Sequence, residues 1–102
     1  MRTHPLAAIF PLLEGEEFDR LVSDIKTNGL LEPIVVYEGK ILDGRNRWRA
    51  CQRARVKPRT AKWSGECGHP AAYIVSKNIE RRHLTKSQAA MIVKRYLLPL
   101  LL

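Results

Sequence analysis

Apolar residues recur at Phe18, Leu21, Val22 and Ile25. That is the i, i+3, i+4, i+7 spacing of one helical face, so residues 14–28 are expected to form a helix. Glu14, Glu16 and Glu17 crowd its first turn, where the helix dipole favours anions. Asn28-Gly29 supplies the stop. After Pro33 the pattern changes. Ile34-Val35-Val36-Tyr37 is a β-branched run, Glu38-Gly39-Lys40 a glycine-containing turn, and Ile41-Leu42 a second strand. Together they read as a hairpin.

The second strand runs into Asp43-Gly44, and a helix is expected from Arg45 to Ala54. Its small inward face is Ala50, Cys51 and Ala54, flanked by Trp48, while Arg45, Arg49 and Arg53 stack at i, i+4 and i+8 on another face. Arg59 to Trp63 alternates weakly and reads as a third strand, followed by a loop from Ser64 to His69. Pro70 suits the first turn of a further helix with Ala72, Val75 and Ile79 inward. Thr85-Lys86-Ser87-Gln88 fits the capping-box pattern, opening a last helix with a face of Ala89, Ile92, Val93 and Tyr96. The leucine-rich residues 97–102 read as a chain edge or as a segment that packs on another chain. Before the first helix, Pro5 and Pro11 limit regular structure, and Ile9-Phe10 suggests a short edge strand. The order is that of an α+β domain with a small mixed sheet, a hairpin flanked by helices.

Composition narrows the partners. The chain has 102 residues and a formal net charge of +8, room for one domain of ordinary size. The charge is concentrated. Arg45, Arg47, Arg49, Arg53, Arg55, Lys57, Arg59 and Lys62 stand in one acid-free block, and the remainder of the chain balances. A single-sign block calls for an anionic partner. It lacks the broad apolar face of a lipid-binding helix, so nucleotide phosphate or nucleic acid is the better match. Cys51 and Cys67 form no regular framework, which suits a reducing compartment. Cys67-Gly68-His69 is half of a metal pattern without a second half. No basic-then-apolar leader and no apolar run of spanning length is present, so a cytoplasmic location is expected and a membrane partner is not.

The densest chemistry is Asp43-Gly44-Arg45-Asn46-Arg47-Trp48-Arg49-Ala50. A glycine and three arginines sit where a strand meets a helix. There, backbone amides and the dipole attract anions, and guanidinium forks match phosphate oxygens. The same octapeptide is also what a solvated basic helix with a glycine at its start looks like. Trp48 and Trp63 read as core or rim packing before base stacking. His4, His69 and His83 carry no assigned role.

Three stretches resemble the N-terminal domain of the ParB family of plasmid and chromosome partition proteins. Gly29-Leu30-Leu31-Glu32-Pro33-Ile34-Val35-Val36 is similar to the family's helix end and first core strand. Gly44-Arg45-Asn46-Arg47-Trp48-Arg49-Ala50 is similar to its box Gly-Glu-Arg-Arg-x-Arg-Ala. Lys77-Asn78-Ile79-Glu80-Arg81-Arg82-His83-Leu84-Thr85 is similar to its box Glu-Asn-x-x-Arg-x-x-Leu. The resemblance spans roughly residues 5–90 and implies the ParB/sulfiredoxin fold. The expected division is a nucleotide-binding domain over 1–84 and a C-terminal helix and tail over 85–102.

In that family the domain binds cytidine triphosphate with Mg2+, and the nucleotide closes a dimer around DNA. The resemblance therefore implies that Gly44, Arg45, Asn46, Arg47 and Arg49 hold phosphates. It places Arg81 on the phosphate side, Asn78 near the metal, and Glu32 and Pro33 beside the base. Arg53, Arg55, Lys57 and Arg82 are the candidates for DNA contact. The family's first-box glutamate and first arginine are Arg45 and Asn46 here, and the glutamate before the asparagine is Lys77. Exchanging a carboxylate near Mg2+ for a cation favours nucleotide binding over metal-assisted hydrolysis. Sulfiredoxin chemistry needs a cysteine in the phosphate loop, where this chain has Arg45, and Cys51 reads as a buried structural thiol.

Three functions remain open. The first is a nucleotide-binding (CTP or ATP), DNA-associated homodimeric module in partition or transcription regulation. The second is an enzyme of the same fold: a weak nucleoside triphosphatase, a nuclease, or a small-molecule kinase with Asp43 or Glu32 as base. The third is a basic DNA-interaction module that needs no nucleotide.

Overall fold

The computed structural model describes residues 1–9, 12–82 and 86–101. The side chains of Ile9, Arg81, Arg82 and several residues after 86 lie outside the described set, as do His83, the Thr85 cap and most of the expected Ala89–Tyr96 face. The chain forms two compact units, Met1–Trp63 and Ser64–Leu102.

In the first unit, α1 (Gly15–Asn28) buries Phe18, Val22 and Ile25. It ends where Gly29 turns to a φ of 76° and donates its N–H to the Ile25 carbonyl. Strands β1 (Ile34–Tyr37) and β2 (Lys40–Asp43) form an antiparallel hairpin. Glu38 and Gly39 both take positive φ, 54° and 72°. Two such residues make the tight turn whose twist matches the strands. Helix α2 (Arg45–Ala54) follows β2 at once, and β3 (Thr60–Lys62) returns parallel to β1, giving the order β2-β1-β3. The expected hairpin, helix and third strand are all present.

The core is one cluster of Phe18, Val22, Ile25, Leu30, Ile34, Ile41, Ala50 and Cys51, with Trp48 and Ala54 packed against it. Helices α1 and α2 thus cover the sheet through Ile34 and Ile41. Each large side chain so buried contributes about 1.5–3 kcal/mol. Alanine and cysteine on α2 let that helix sit close.

The N-terminal segment departs from expectation. Ala7–Ile9 form a 3-10 turn rather than an edge strand; Phe10 lies outside the described residues. Pro5 presets a turn, and the His4 carbonyl accepts the N–H groups of Ala7 and Ala8. The strand-like contact falls earlier. Ile41 donates its N–H to the Arg2 carbonyl and accepts from His4 N–H, both at 2.8 Å, so this segment covers the outer edge of β2.

In the second unit, α3 (Pro70–Arg82) opens at proline as expected. His69 caps it, its Nδ1 accepting the Ala71 N–H at 3.0 Å. The buried residues are Ala71, Tyr73, Ile74 and Val75, while Ala72 and Ile79 are half-buried. The large ring of Tyr73 gains more by burial than Ala72 does, which turns the face by one residue. Helix α4 (Lys86–Ile92) passes through a π segment at Val93–Leu97 into α5 (Leu98–Leu101). Pro99 lacks an N–H and its ring crowds the carbonyl four residues back. The wider π turn takes up that misfit just before it. Among the described residues no helix is long and apolar enough to cross a membrane.

Candidate phosphate-binding site

Gly44 joins β2 to α2 at φ 104° and ψ 23° and carries no side-chain cap. Only glycine adopts this conformation without strain. A side chain there would also crowd its neighbours. A Cβ there would lie 3.0 Å from Arg47 Nη2 and 3.1 Å from Ile34 Cγ1. The first helical bond runs from Trp48 N–H to the Gly44 carbonyl at 2.8 Å. The turn is therefore a helix N-terminus opening beside a strand end, with Gly44 through Arg49 half-buried.

The arginines on this turn differ sharply in what they touch. Arg47 lies across Gly44. Its Nη2 donates to the Asp43 carboxylate at 3.1 Å, and its Nη1 donates to the carbonyls of Glu32 at 3.0 Å and Pro33 at 3.3 Å. The Glu32 carboxylate adds an ion pair at 3.7 Å, and the Arg47 side chain is only 15 % exposed. Arg49 points the other way, donating to the Leu13 carbonyl at 3.1 Å and to Asn46 Oδ1 at 3.2 Å, with its guanidinium 4.4 Å above the Phe18 ring. Asn46 Oδ1 also accepts the Leu13 N–H at 3.1 Å. Asn46 and Arg49 thus staple the lead-in to α1 onto α2. Arg53 continues this seam, 5.6 Å from Phe18 and paired with Asp19 at 3.2 Å. The expected arginine stripe is partly a packing face, because flat guanidinium groups stack on an aromatic ring.

Arg45 is electrostatically the most burdened. Burial pushes its pKa down, and the like charge of Arg49 one turn along pushes it further. Asp43 is 5 % exposed and held by Arg47, an arrangement that suits an anchor and not a general base. Cys51 is fully buried; desolvation raises its pKa, and the Arg47 charge offsets part of the rise. It is the structural thiol that its place on the inward face suggests.

Of the other candidates, Glu32 and Pro33 are exposed and joined to the Gly44 turn through Arg47. Arg55 and Lys57 are exposed just beyond α2. Asn78 belongs to the second unit, where its Nδ2 donates to the Ile74 carbonyl at 2.8 Å. Arg81 and Arg82 end α3, with side chains outside the described set. Among the described residues no group of three or more His, Cys, Asp and Glu is placed to hold a metal. Two residues escaped the sequence reading. His4 is buried, its Nδ1 accepting the Leu6 N–H at 3.2 Å. Arg59, read only as part of the basic block and the start of the third strand, donates to the carbonyls of Leu30 and Leu31 at 2.7 and 3.0 Å.

The family model of the ParB N-terminal domain matches residues 3–64, more than half of the chain. This chain belongs to the ParB N-terminal domain family. The ParB match covers the Gly29–Val36 and Gly44–Ala50 stretches and stops before Lys77. No curated protein and no solved structure matches the chain. The ParB assignment fits the α+β architecture, a three-stranded mixed sheet flanked by helices.

Proposed function

We propose that this ParB domain binds a nucleoside triphosphate, CTP or ATP, at the Gly44 turn. We infer further that it acts as a homodimeric, DNA-associated module in cytoplasmic plasmid or chromosome partition or in transcription regulation. The observation that carries the reading is the Gly44 turn: a glycine at φ 104° opening the uncapped N-terminus of α2, with the half-buried Arg45 on its first turn. The amides and dipole at this helix start favour a polyphosphate, and guanidinium forks match its oxygens. Gly44 lets phosphate approach the backbone, and Glu32 and Pro33 lie on the nucleoside side. The donors around the turn do not fit a protein-held Mg2+, since Asp43 and Glu32 both engage Arg47.

Titration with CTP, ATP, GTP and UTP, with and without Mg2+, tests this. Wild type binds at least one saturably. Arg45→Ala weakens that binding about tenfold or more, as expected for loss of one charge-assisted contact. Asn78→Ala reports whether α3 takes part. Absence of saturable binding to all four nucleotides refutes the reading.

One observation favours a second reading, a basic DNA module independent of nucleotide. Arg47 and Arg49 already have internal acceptors, so the turn offers fewer guanidinium groups than its sequence promises. DNA binding unaffected by any nucleotide would select it.

A further inference from the structure

Residues 30–33 lead from α1 into β1 outside the sheet ladder. Each of their four carbonyls accepts from an arginine. Arg59 takes Leu30 and Leu31, at 2.7 and 3.0 Å, and Arg47 takes Glu32 and Pro33, at 3.0 and 3.3 Å. The two arginines come from different elements, α2 and the approach to β3. Each is itself fixed. Arg47 is held by Asp43, and the Arg59 carbonyl accepts the Ile34 N–H at 2.8 Å. The loop is clamped from both sides of β1.

A clamped backbone here presents unusual side chains. Leu31 is 72 % exposed, Pro33 is exposed, and the Glu32 side chain is 72 % exposed. Two apolar surfaces flank one carboxylate, which also pairs with Arg47, and the Arg47 guanidinium links Glu32 and Pro33 to the Gly44 turn. That combination fits the face and the amino edge of a nucleobase whose phosphates sit at Gly44. Discrimination between bases needs such groups held still before the ligand arrives.

We propose that Arg59 is a positioning residue for this loop: by fixing the Leu30 and Leu31 carbonyls it sets the base preference of the nucleotide site without touching phosphate. The proposal rests on the nucleotide reading above. Arg59 separates the two roles where Arg47 cannot, because Arg47 also lies across the phosphate turn.

The full chain is compared as wild type, Arg59→Gln and Arg59→Lys. Each is titrated with tripolyphosphate and with the four nucleotides, and amide hydrogen exchange is followed over residues 30–34. In Arg59→Gln, exchange at Ile34, whose N–H donates to the Arg59 carbonyl, rises about tenfold. Tripolyphosphate affinity stays within about twofold, while the ratio between the best and worst nucleotide falls about tenfold. Arg59→Lys keeps the charge and one donor direction, and recovers part of both loop protection and base preference. Fluorescence and circular dichroism establish that each variant is folded. Unchanged exchange in Arg59→Gln overturns the clamp whether or not nucleotide binds. A preserved base preference despite faster exchange overturns the positioning role, as does an equal loss of tripolyphosphate and nucleotide affinity. A wild type that binds neither probe overturns the nucleotide reading and this proposal with it, while the exchange data still judge the clamp.

Discussion

Replacing Gly44 by alanine tests the geometry on which the site depends. The new Cβ meets two obstacles, Arg47 Nη2 at 3.0 Å and Ile34 Cγ1 at 3.1 Å. Ile34 is fully buried and cannot retreat, so Arg47 must give way. A φ of 104° is foreign to alanine and costs about 2 kcal/mol. Displacing Arg47 weakens its bond to Asp43, a nearly buried carboxylate, for about another 1–2 kcal/mol. Against this, alanine restricts the unfolded chain and returns about 0.5–1 kcal/mol. The expected net loss is about 3 kcal/mol. Both tryptophans of the chain, Trp48 and Trp63, lie in the Met1–Trp63 unit, so urea unfolding followed by their fluorescence reports that unit. The m-value should hold while the midpoint falls. A destabilisation below about 1 kcal/mol means the turn relaxes freely, and then neither the Arg47 clamp nor the Gly44 geometry is as rigid as argued.

Four further outcomes follow from the structure. Arg49→Ala removes the Leu13 staple and the stack on Phe18, and should cost about 2 kcal/mol in the same urea assay, against less than about 1 kcal/mol for the exposed Arg53–Asp19 pair; equal losses would contradict the packing role. A thiol reagent at mildly alkaline pH should modify exposed Cys67 in the folded chain and reach buried Cys51 only in denaturant. Because burial raises the Cys51 pKa, its contribution to stability is complete below the unfolded thiol value of about 8.5 and is lost as pH rises past it, a decline that Cys51→Ala removes. Arg55, Lys57 and Lys62 are exposed and make no ion pair among the described residues, so nucleic-acid affinity should fall with log salt at a slope near −3, not the roughly −7 of the whole block; Lys57→Ala should lower the slope by about one.

The helices and the hairpin were legible because each rests on a local rule. The Phe18–Ile25 period, the β-branched run after Pro33 and the glycine stops act within a few residues. The third strand was weaker, since Thr60–Lys62 is exposed throughout and has no apolar alternation to betray it. The N-terminal segment shows the converse: Ile9, expected in a strand, lies in the Ala7–Ile9 turn, and Thr3 supplied the bridge. The Gly44 turn was visible as a glycine followed by arginines. The destination of each guanidinium was not, because Arg47, Arg49 and Arg59 reach acceptors 14 to 36 residues away. Nothing in local sequence distinguishes an arginine that grips a ligand from one that grips a carbonyl.

That ambiguity has a physical root in the size of the unit. A chain segment ending at Trp63 builds only a small core, and its connecting loops need polar anchors. Guanidinium groups serve because one fork satisfies two carbonyls while staying partly solvated. Arg47, Arg49 and Arg59 are used this way, and the basic block that looks like one continuous anion-binding surface is divided. Arg45 stands at the N-terminus of α2. Arg55 and Lys57 stand past its C-terminus, about 15 Å away along a ten-residue helix. That spacing exceeds a Debye length at physiological salt. Under the proposed function, a triphosphate at the Gly44 turn and a nucleic-acid backbone at the far rim would therefore draw on separate cations, and occupancy of one would leave the charge of the other intact.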